Sequence, residues 1–95
     1  MVTFSSNKGG DMSKRLVQRA QTGVRLEKSL LKVLKGLAEY CELSLGDLLE
    51  GIVLHSFESK APFSEETIKV VNGLKDVYGC NLCAADSHKL HEDDQ

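Results

Sequence analysis

Residues 16–26 read Leu16-Val17-Gln18-Arg19-Ala20-Gln21-Thr22-Gly23-Val24-Arg25-Leu26, and this stretch decides the fold. In its second half, apolar and polar residues alternate, which is typical of a β-strand that is buried on one face. Val24 and Leu26 lie on the predicted buried face. The opposite face presents polar residues and one glycine: Arg19, Gln21, Gly23 and Arg25.

Three helices are predicted after this strand. The first has apolar residues at spacings of three and four and ends at Glu42-Leu43: Leu30, Leu31, Leu34, Leu37, Ala38 and Cys41. Ser44 is the predicted N-cap of the second helix, and Asp47 is its predicted capping-box partner. The apolar stripe of the second helix consists of Leu45, Leu48, Leu49, Ile52, Val53 and Phe57.

Pro62 ends this pattern, because it lacks an amide proton and disfavours a helical conformation in the preceding residue. Ser64 is the predicted N-cap of the third helix, whose first turn carries Glu65 and Glu66 beside the positive end of the helix dipole. Gly79 is the predicted C-terminal stop.

A single strand has no partner within one chain. Its buried backbone groups would remain unpaired, at a cost of about 1–3 kcal/mol for each group. A second copy of the chain solves this problem, because two strands can then pair antiparallel across a two-fold axis while the helices of both copies cover one face. The strand therefore predicts a homodimer. The alternative is that residues 16–26 are an extended tail rather than a strand.

The order of these elements resembles the ribbon-helix-helix family of bacterial repressors, of the Arc and MetJ type. The resemblance covers roughly residues 18–58. It is carried by Val24-Arg25-Leu26, by the leucine spacing that leads to Leu37-Ala38-Glu39, and by Leu43-Ser44 before Asp47-Leu48-Leu49. It implies a mainly α fold in which one N-terminal strand pairs across a homodimer and two helices form the core. This chain adds a third, C-terminal helix.

The domain organisation follows the same resemblance. Residues 1–15 are predicted to be a flexible N-terminal tail, and residues 16–58 a ribbon-helix-helix domain for dimerisation and DNA binding. Residues 59–95 are predicted to comprise a linker, the third helix and an acidic C-terminal tail.

In the ribbon-helix-helix family, the paired strands lie in the major groove of DNA and read its bases. The resemblance therefore implies base contacts from Arg19, Gln21, Gly23 and Arg25. Arginine suits this task because it can bond guanine at two atoms, and glutamine can do the same with adenine. Gly23 departs from the pattern because it offers no side chain to a base.

The family also holds a DNA phosphate at the N-terminus of its second helix, where free amides favour an anion. The resemblance assigns that role to Ser44, Leu45 and Gly46, although Glu42 and Asp47 nearby would repel a phosphate. Further phosphate contacts, which do not depend on DNA sequence, are expected from a set of basic residues: Lys14, Arg15, Lys28 and Lys32.

The net charge of −2 conceals a division of charge along the chain. Residues 1–36 contain eight lysines and arginines and two acids, whereas residues 37–95 contain four lysines and twelve acids. A basic end beside an acidic remainder indicates a surface that meets a polyanion, although small domains also segregate charge by chance. The acidic C-terminal third is expected to face away from DNA, where it could bind a protein partner.

The C-terminal cysteines and histidines have a spacing that zinc could use. Cys80 and Cys83, followed by His88 and His91, give the pattern C-x2-C-x4-H-x2-H. The two histidines are closer in sequence than in the usual zinc pattern. The alternatives are a redox pair and small apolar cysteines that pack the end of the third helix. Packing is favoured, so we expect no metal and no other cofactor.

Other functional classes lack their sequence signals. The chain contains no glycine-rich phosphate loop after a strand and no helix with histidines and carboxylates at metal-binding spacing, so an enzyme is not expected. It also lacks the apolar run of about 20 residues that a membrane span needs, and the apolar core of a signal peptide. Three cysteines cannot all pair within one chain. A cytoplasmic location is expected.

The sequence therefore predicts a bacterial, sequence-specific DNA-binding transcriptional regulator, similar to a repressor or an antitoxin, that acts as a homodimer with its β-ribbon in the major groove. The alternative is a dimeric protein-interaction module of the same fold that does not bind DNA. Gly23, Glu42 and the acidic balance of the chain favour that alternative.

Overall fold

The computed structural model describes residues 15–92. They form three α-helices: α1 spans Lys28–Cys41, α2 spans Leu45–Phe57 and α3 spans Glu65–Tyr78. A short 3₁₀ helix, Ala84–Asp86, follows them. The three predicted helices are therefore confirmed. Of the flexible tail predicted for residues 1–15, all but Arg15 lies outside the described residues. No helix within residues 15–92 has the length and apolar character needed to cross a membrane.

The predicted β-strand is wrong. Residues 16–26 have no regular secondary structure and are exposed along their whole length, and residues 15–92 contain no strand. Alternating side chains produce a strand only where a second backbone completes the hydrogen-bond ladder, and residues 15–92 supply none. The ribbon-helix-helix fold class that was built on this strand is corrected to a three-helix arrangement preceded by a segment without regular secondary structure.

Side-chain caps fix the starts of the helices. Ser44 Oγ accepts a hydrogen bond from the backbone N–H of Asp47 at 3.1 Å, and Ser64 Oγ accepts one from Thr67 at 3.2 Å, which confirms both predicted N-caps. Glu27 caps α1, since its carboxylate accepts bonds from Ser29 Oγ and the Leu30 N–H. These hydrogen bonds, that of Ser29 above all, lower the pKa of Glu27.

α1 and α3 end in the same way. Glu42 and Gly79 each adopt a left-handed conformation after the last helical turn, with φ of 59° and 67°. The next N–H bonds back into the helix, from Leu43 to the Ala38 carbonyl and from Cys80 to the Lys75 carbonyl. This is the Schellman arrangement, and it confirms the predicted stop at Gly79.

The core lies mainly between α1 and α3. Four buried residues form its centre, three of them from α1 and one from α2: Leu37, Ala38, Cys41 and Leu48. The two helices approach closely at Gly36, where a Cβ atom would lie 3.0 Å from Leu74 Cδ2. α2 packs less extensively against α1, and Leu48 is the only residue of α2 that is fully buried.

Candidate nucleic-acid interface and the adjoining groove

Residues 15–27, called here the N-terminal segment, have no regular secondary structure and run beside α2 before they lead into α1. A groove of about 1310 Å³ separates the segment from α1 and α2. Its apolar lining comes from both sides: Val17, Val24, Leu31, Leu49, Val53 and Leu54. The segment therefore lies over an apolar surface without covering it.

Arg19 is the main polar contact between the segment and α2. Its Nε and Nη2 atoms donate to the two carboxylate oxygens of Glu50, each at 2.9 Å, and Nη2 also lies 3.2 Å from Asp47 Oδ1. The hydrogen bond to Glu50 and the charges of both acids raise the pKa of Arg19, and the same contact lowers the pKa of Glu50. All three side chains remain about half exposed, so solvent screens the interaction.

Arg25 makes a second long-range ion pair. Its Nη2 lies 2.7 Å from Glu92 Oε2, which joins the segment to the acidic end of the described chain. Both of the arginines predicted to contact DNA bases are thus bound to carboxylates of their own chain. Gln21 and Gly23, the other two residues predicted to contact bases, are exposed. A Cβ atom at Gly23 would have no other heavy atom within 4 Å, so no contact within residues 15–92 requires a glycine there.

The residues predicted to contact phosphate divide into two groups. Arg15 and Lys28 are exposed, whereas Lys14 lies outside the described residues. Lys28 is joined by Lys32 and Lys35 on one face of α1, because their spacings of four and three residues place them above one another on the helix. All three lysines are exposed, and Lys32 Nζ lies 5.9 Å from the ring centre of Tyr78. Together they form a basic stripe along α1.

The second group lies at the start of α2. Ser44 is the N-cap, Leu45 is half-buried and Gly46 is exposed, so the three residues do occupy a helix N-terminus. However, the hydroxyl of Ser44 accepts the Asp47 N–H, and the carboxylates of Asp47 and Glu50 lie within the first two turns. These acids oppose the binding of an anion at that end of the helix.

The outer face of α2 differs from the prediction, because Val53 and Phe57 belong to the predicted apolar stripe but are exposed. Val53, Leu54 and Phe57 are 42%, 62% and 79% exposed, respectively. Leu54 falls outside the predicted apolar stripe, and that was the available signal: the helix carries apolar residues nearly all round, which is typical of a helix that is buried on every side. In the single chain, only the side of α2 that carries Leu48 is buried.

The C-terminal cysteines differ from one another. Cys80 is buried in the turn after α3, as the packing interpretation predicts, whereas Cys83 is exposed. Cys41 is buried in the core, and burial raises the pKa of its thiol. His88 and His91 are exposed. Between residues 15 and 92, no group of three or more His, Cys, Asp and Glu side chains lies close enough to hold a metal ion.

Comparison with known proteins gives no relative for this chain: no family model, no curated protein and no solved structure matches it.

Proposed function

We propose that this protein is a DNA-binding transcriptional regulator that acts as a homodimer and meets double-stranded DNA with residues 15–35. One observation carries the proposal: every lysine and arginine of this stretch is exposed. The stretch contains a single acid, Glu27, whose carboxylate is engaged in capping α1. The six cations are Arg15, Arg19, Arg25, Lys28, Lys32 and Lys35.

The two parts of this surface have different roles. The lysines of α1 form a stripe that suits the regular spacing of phosphates, and such contacts supply affinity without reading sequence. The N-terminal segment is exposed and has no regular secondary structure, so Gln21 and Arg25 can reach base edges in a groove of the duplex. Sequence specificity is therefore assigned to the segment, and affinity is assigned mainly to α1.

The dimer is assigned to the outer face of α2. Burying a large apolar side chain contributes about 1.5–3 kcal/mol, and a two-fold axis doubles every contact. Val53, Leu54 and Phe57 offer such side chains in one helix, next to the apolar groove. We expect a dimer at micromolar concentration, measured by sedimentation equilibrium.

Arg25 gives the direct test of base recognition. A duplex would first be selected from a randomised pool, and its binding would be followed by fluorescence anisotropy. Arg25→Ala should weaken binding to the selected duplex by about 1–3 kcal/mol per contact and should leave the helical circular dichroism unchanged. Lys35→Ala is the matched control, because it removes a positive charge on α1 and should weaken selected and random duplexes alike. Equal affinity of wild type and Arg25→Ala for the selected duplex would refute base recognition by this residue.

A second candidate function is a dimeric interaction module that does not bind DNA. It is favoured by one observation, the engagement of Arg19 and Arg25 by carboxylates of the same chain. Titration of a random duplex at two salt concentrations separates the two functions. DNA binding through phosphates weakens steeply as salt rises, whereas the interaction module gives no binding at either concentration.

A further inference from the structure

The long-range ion pairs of this chain are concentrated on one segment. Four ion pairs are described within residues 15–92, and three of them join Arg19 or Arg25 to acids that are distant in sequence. The fourth, between Lys60 and Glu58, is local. These three long-range ion pairs all join the N-terminal segment to acidic groups.

The Arg19 contact uses the atoms that a nucleic acid would need. Glu50 takes the Nε and Nη2 edge of the guanidinium with both of its oxygens. An arginine binds a phosphate or the O6 and N7 atoms of guanine through the same kind of paired N–H donors. The N–H donors that Glu50 engages are not free for a DNA acceptor, so DNA that binds this edge of Arg19 competes with Glu50.

The ion pairs are also the main contacts that hold the segment in place. Most of its apolar side chains bury little: Val17 is 64% exposed and Val24 is 72% exposed, and only Leu26, just before α1, is more covered. The pairs are themselves exposed and therefore weak, so a dense array of phosphates can displace them. Such contacts can therefore weaken DNA binding reversibly without preventing it.

We propose that Glu50 and Glu92 are intrachain competitors of DNA, which hold Arg19 and Arg25 in the free protein and release them when a duplex binds. This inference rests on the proposed DNA-binding function. It adds that the chain limits its own affinity for DNA. A duplex that binds weakly does not break the ion pairs of Arg19 and Arg25, whereas a well-matched duplex does.

The test compares two doubly neutralised proteins of equal net charge. Glu50→Gln/Glu92→Gln removes the two proposed competitors, whereas Glu66→Gln/Asp76→Asn removes two exposed acids for which no ion pair is described. Both control positions lie on α3, outside residues 15–35. We expect the first variant to bind a random duplex about threefold to tenfold more tightly than wild type at low salt, with the control variant changing by less than about twofold. The gain should shrink as salt rises, since salt screens exposed ion pairs.

The outcomes separate this inference from the function on which it rests. Equal gains in both variants, or no gain in the first, overturn the inference and leave DNA binding standing. Absence of duplex binding by wild type and both variants overturns the proposed function and the inference together. A second measurement in the free protein, the nuclear magnetic resonance signal of the Arg19 Nε–H, should exchange with water more slowly in wild type than in Glu50→Gln. Equal exchange rates would show that Glu50 does not hold Arg19 in solution, and would overturn the inference by themselves.

Discussion

Two parts of this molecule differ in how much of their apolar surface a single chain buries. The first half is α1 with α3, and the second half is α2 with the N-terminal segment. α1 and α3 pack against each other around Leu37, and they approach closely at Gly36. α2 and the N-terminal segment instead leave leucines, valines and a phenylalanine in solvent and join through exposed ion pairs. The first half behaves as the core of a folded unit, and the second has the composition of a surface that is completed by binding.

The most damaging change should lie in the first half. Leu37 on α1 is 1% exposed, so Leu37→Ala removes buried methyl groups and leaves a cavity that the neighbouring helices can fill only in part. We expect the free energy of unfolding to fall by about 2–5 kcal/mol, measured by urea denaturation at a fixed protein concentration. Tyr40→Ala, at an exposed position of the same helix, is the control. A loss below about 1 kcal/mol for Leu37→Ala would mean that the α1–α3 contact is not the core.

A polar change on α2 should act on association and hardly at all on folding of the single chain. Leu54→Asp places a charge on the exposed apolar face, so we expect a monomer at micromolar concentration and an unfolding midpoint that no longer depends on protein concentration. Val77→Asp makes the same kind of change at an exposed apolar residue of α3, and it should remain dimeric. A dimer that survives Leu54→Asp would place the dimer interface elsewhere.

A smaller effect on stability is expected from alanine substitutions at Gly73 and Gly36, and it should differ between these two glycines. A Cβ atom at Gly73 on α3 would meet no atom within 4 Å, so Gly73→Ala should raise the free energy of unfolding by about 0.5–1 kcal/mol through helix propensity. Gly36→Ala brings the same gain but must displace the end of the Leu74 side chain. We therefore expect Gly36→Ala to be less stabilising than Gly73→Ala in thermal unfolding. The reverse order would show that α1 and α3 are not closely packed at this point.

The smallest expected effect concerns the ionisation of Glu50. Its pKa is lowered in the folded protein by Arg19, so the ion pair adds stability above the ordinary pKa of a glutamate, and this contribution is lost as pH falls through the lowered pKa. Arg19→Ala should raise the pKa of Glu50 towards its ordinary value, as measured by a nuclear magnetic resonance titration of the Glu50 carboxyl carbon. Arg15→Ala, which removes a neighbouring charge, should change it less. An unaltered pKa in Arg19→Ala would mean that the segment does not contact α2 in solution.

Local signals in the sequence predicted local structure well. The serines that begin α2 and α3 and the glycine that ends α3 act through hydrogen bonds within four or five residues, so a short window contains all of the necessary information. The strand at residues 16–26 failed for the opposite reason. Pairing depends on a second backbone, and the alternation of Val24, Arg25 and Leu26 cannot report whether one is present.

The candidate site was only partly predictable for the same reason. Arg15, Lys28 and Lys32 were identified from charge, and Arg19 and Arg25 from the family resemblance, and all five are exposed. The contact of Arg19 with Glu50 spans 31 positions in sequence, so no local pattern contains it. The exposed face of α2 was concealed by its apolar composition, because a helix that is apolar all round looks the same in sequence whether its neighbours belong to the same chain or to another.

The two cysteines in the turn that follows α3 allow local opening of this part of the protein to be measured by chemical labelling. Cys80 is 5% exposed there, while Cys83, three residues further on, is open to solvent. An alkylating reagent therefore reaches Cys83 in the folded protein but reaches Cys80 only during moments when the end of α3 loosens. The ratio of the two alkylation rates, read by mass spectrometry, measures the equilibrium constant for that opening while the rest of the chain stays folded.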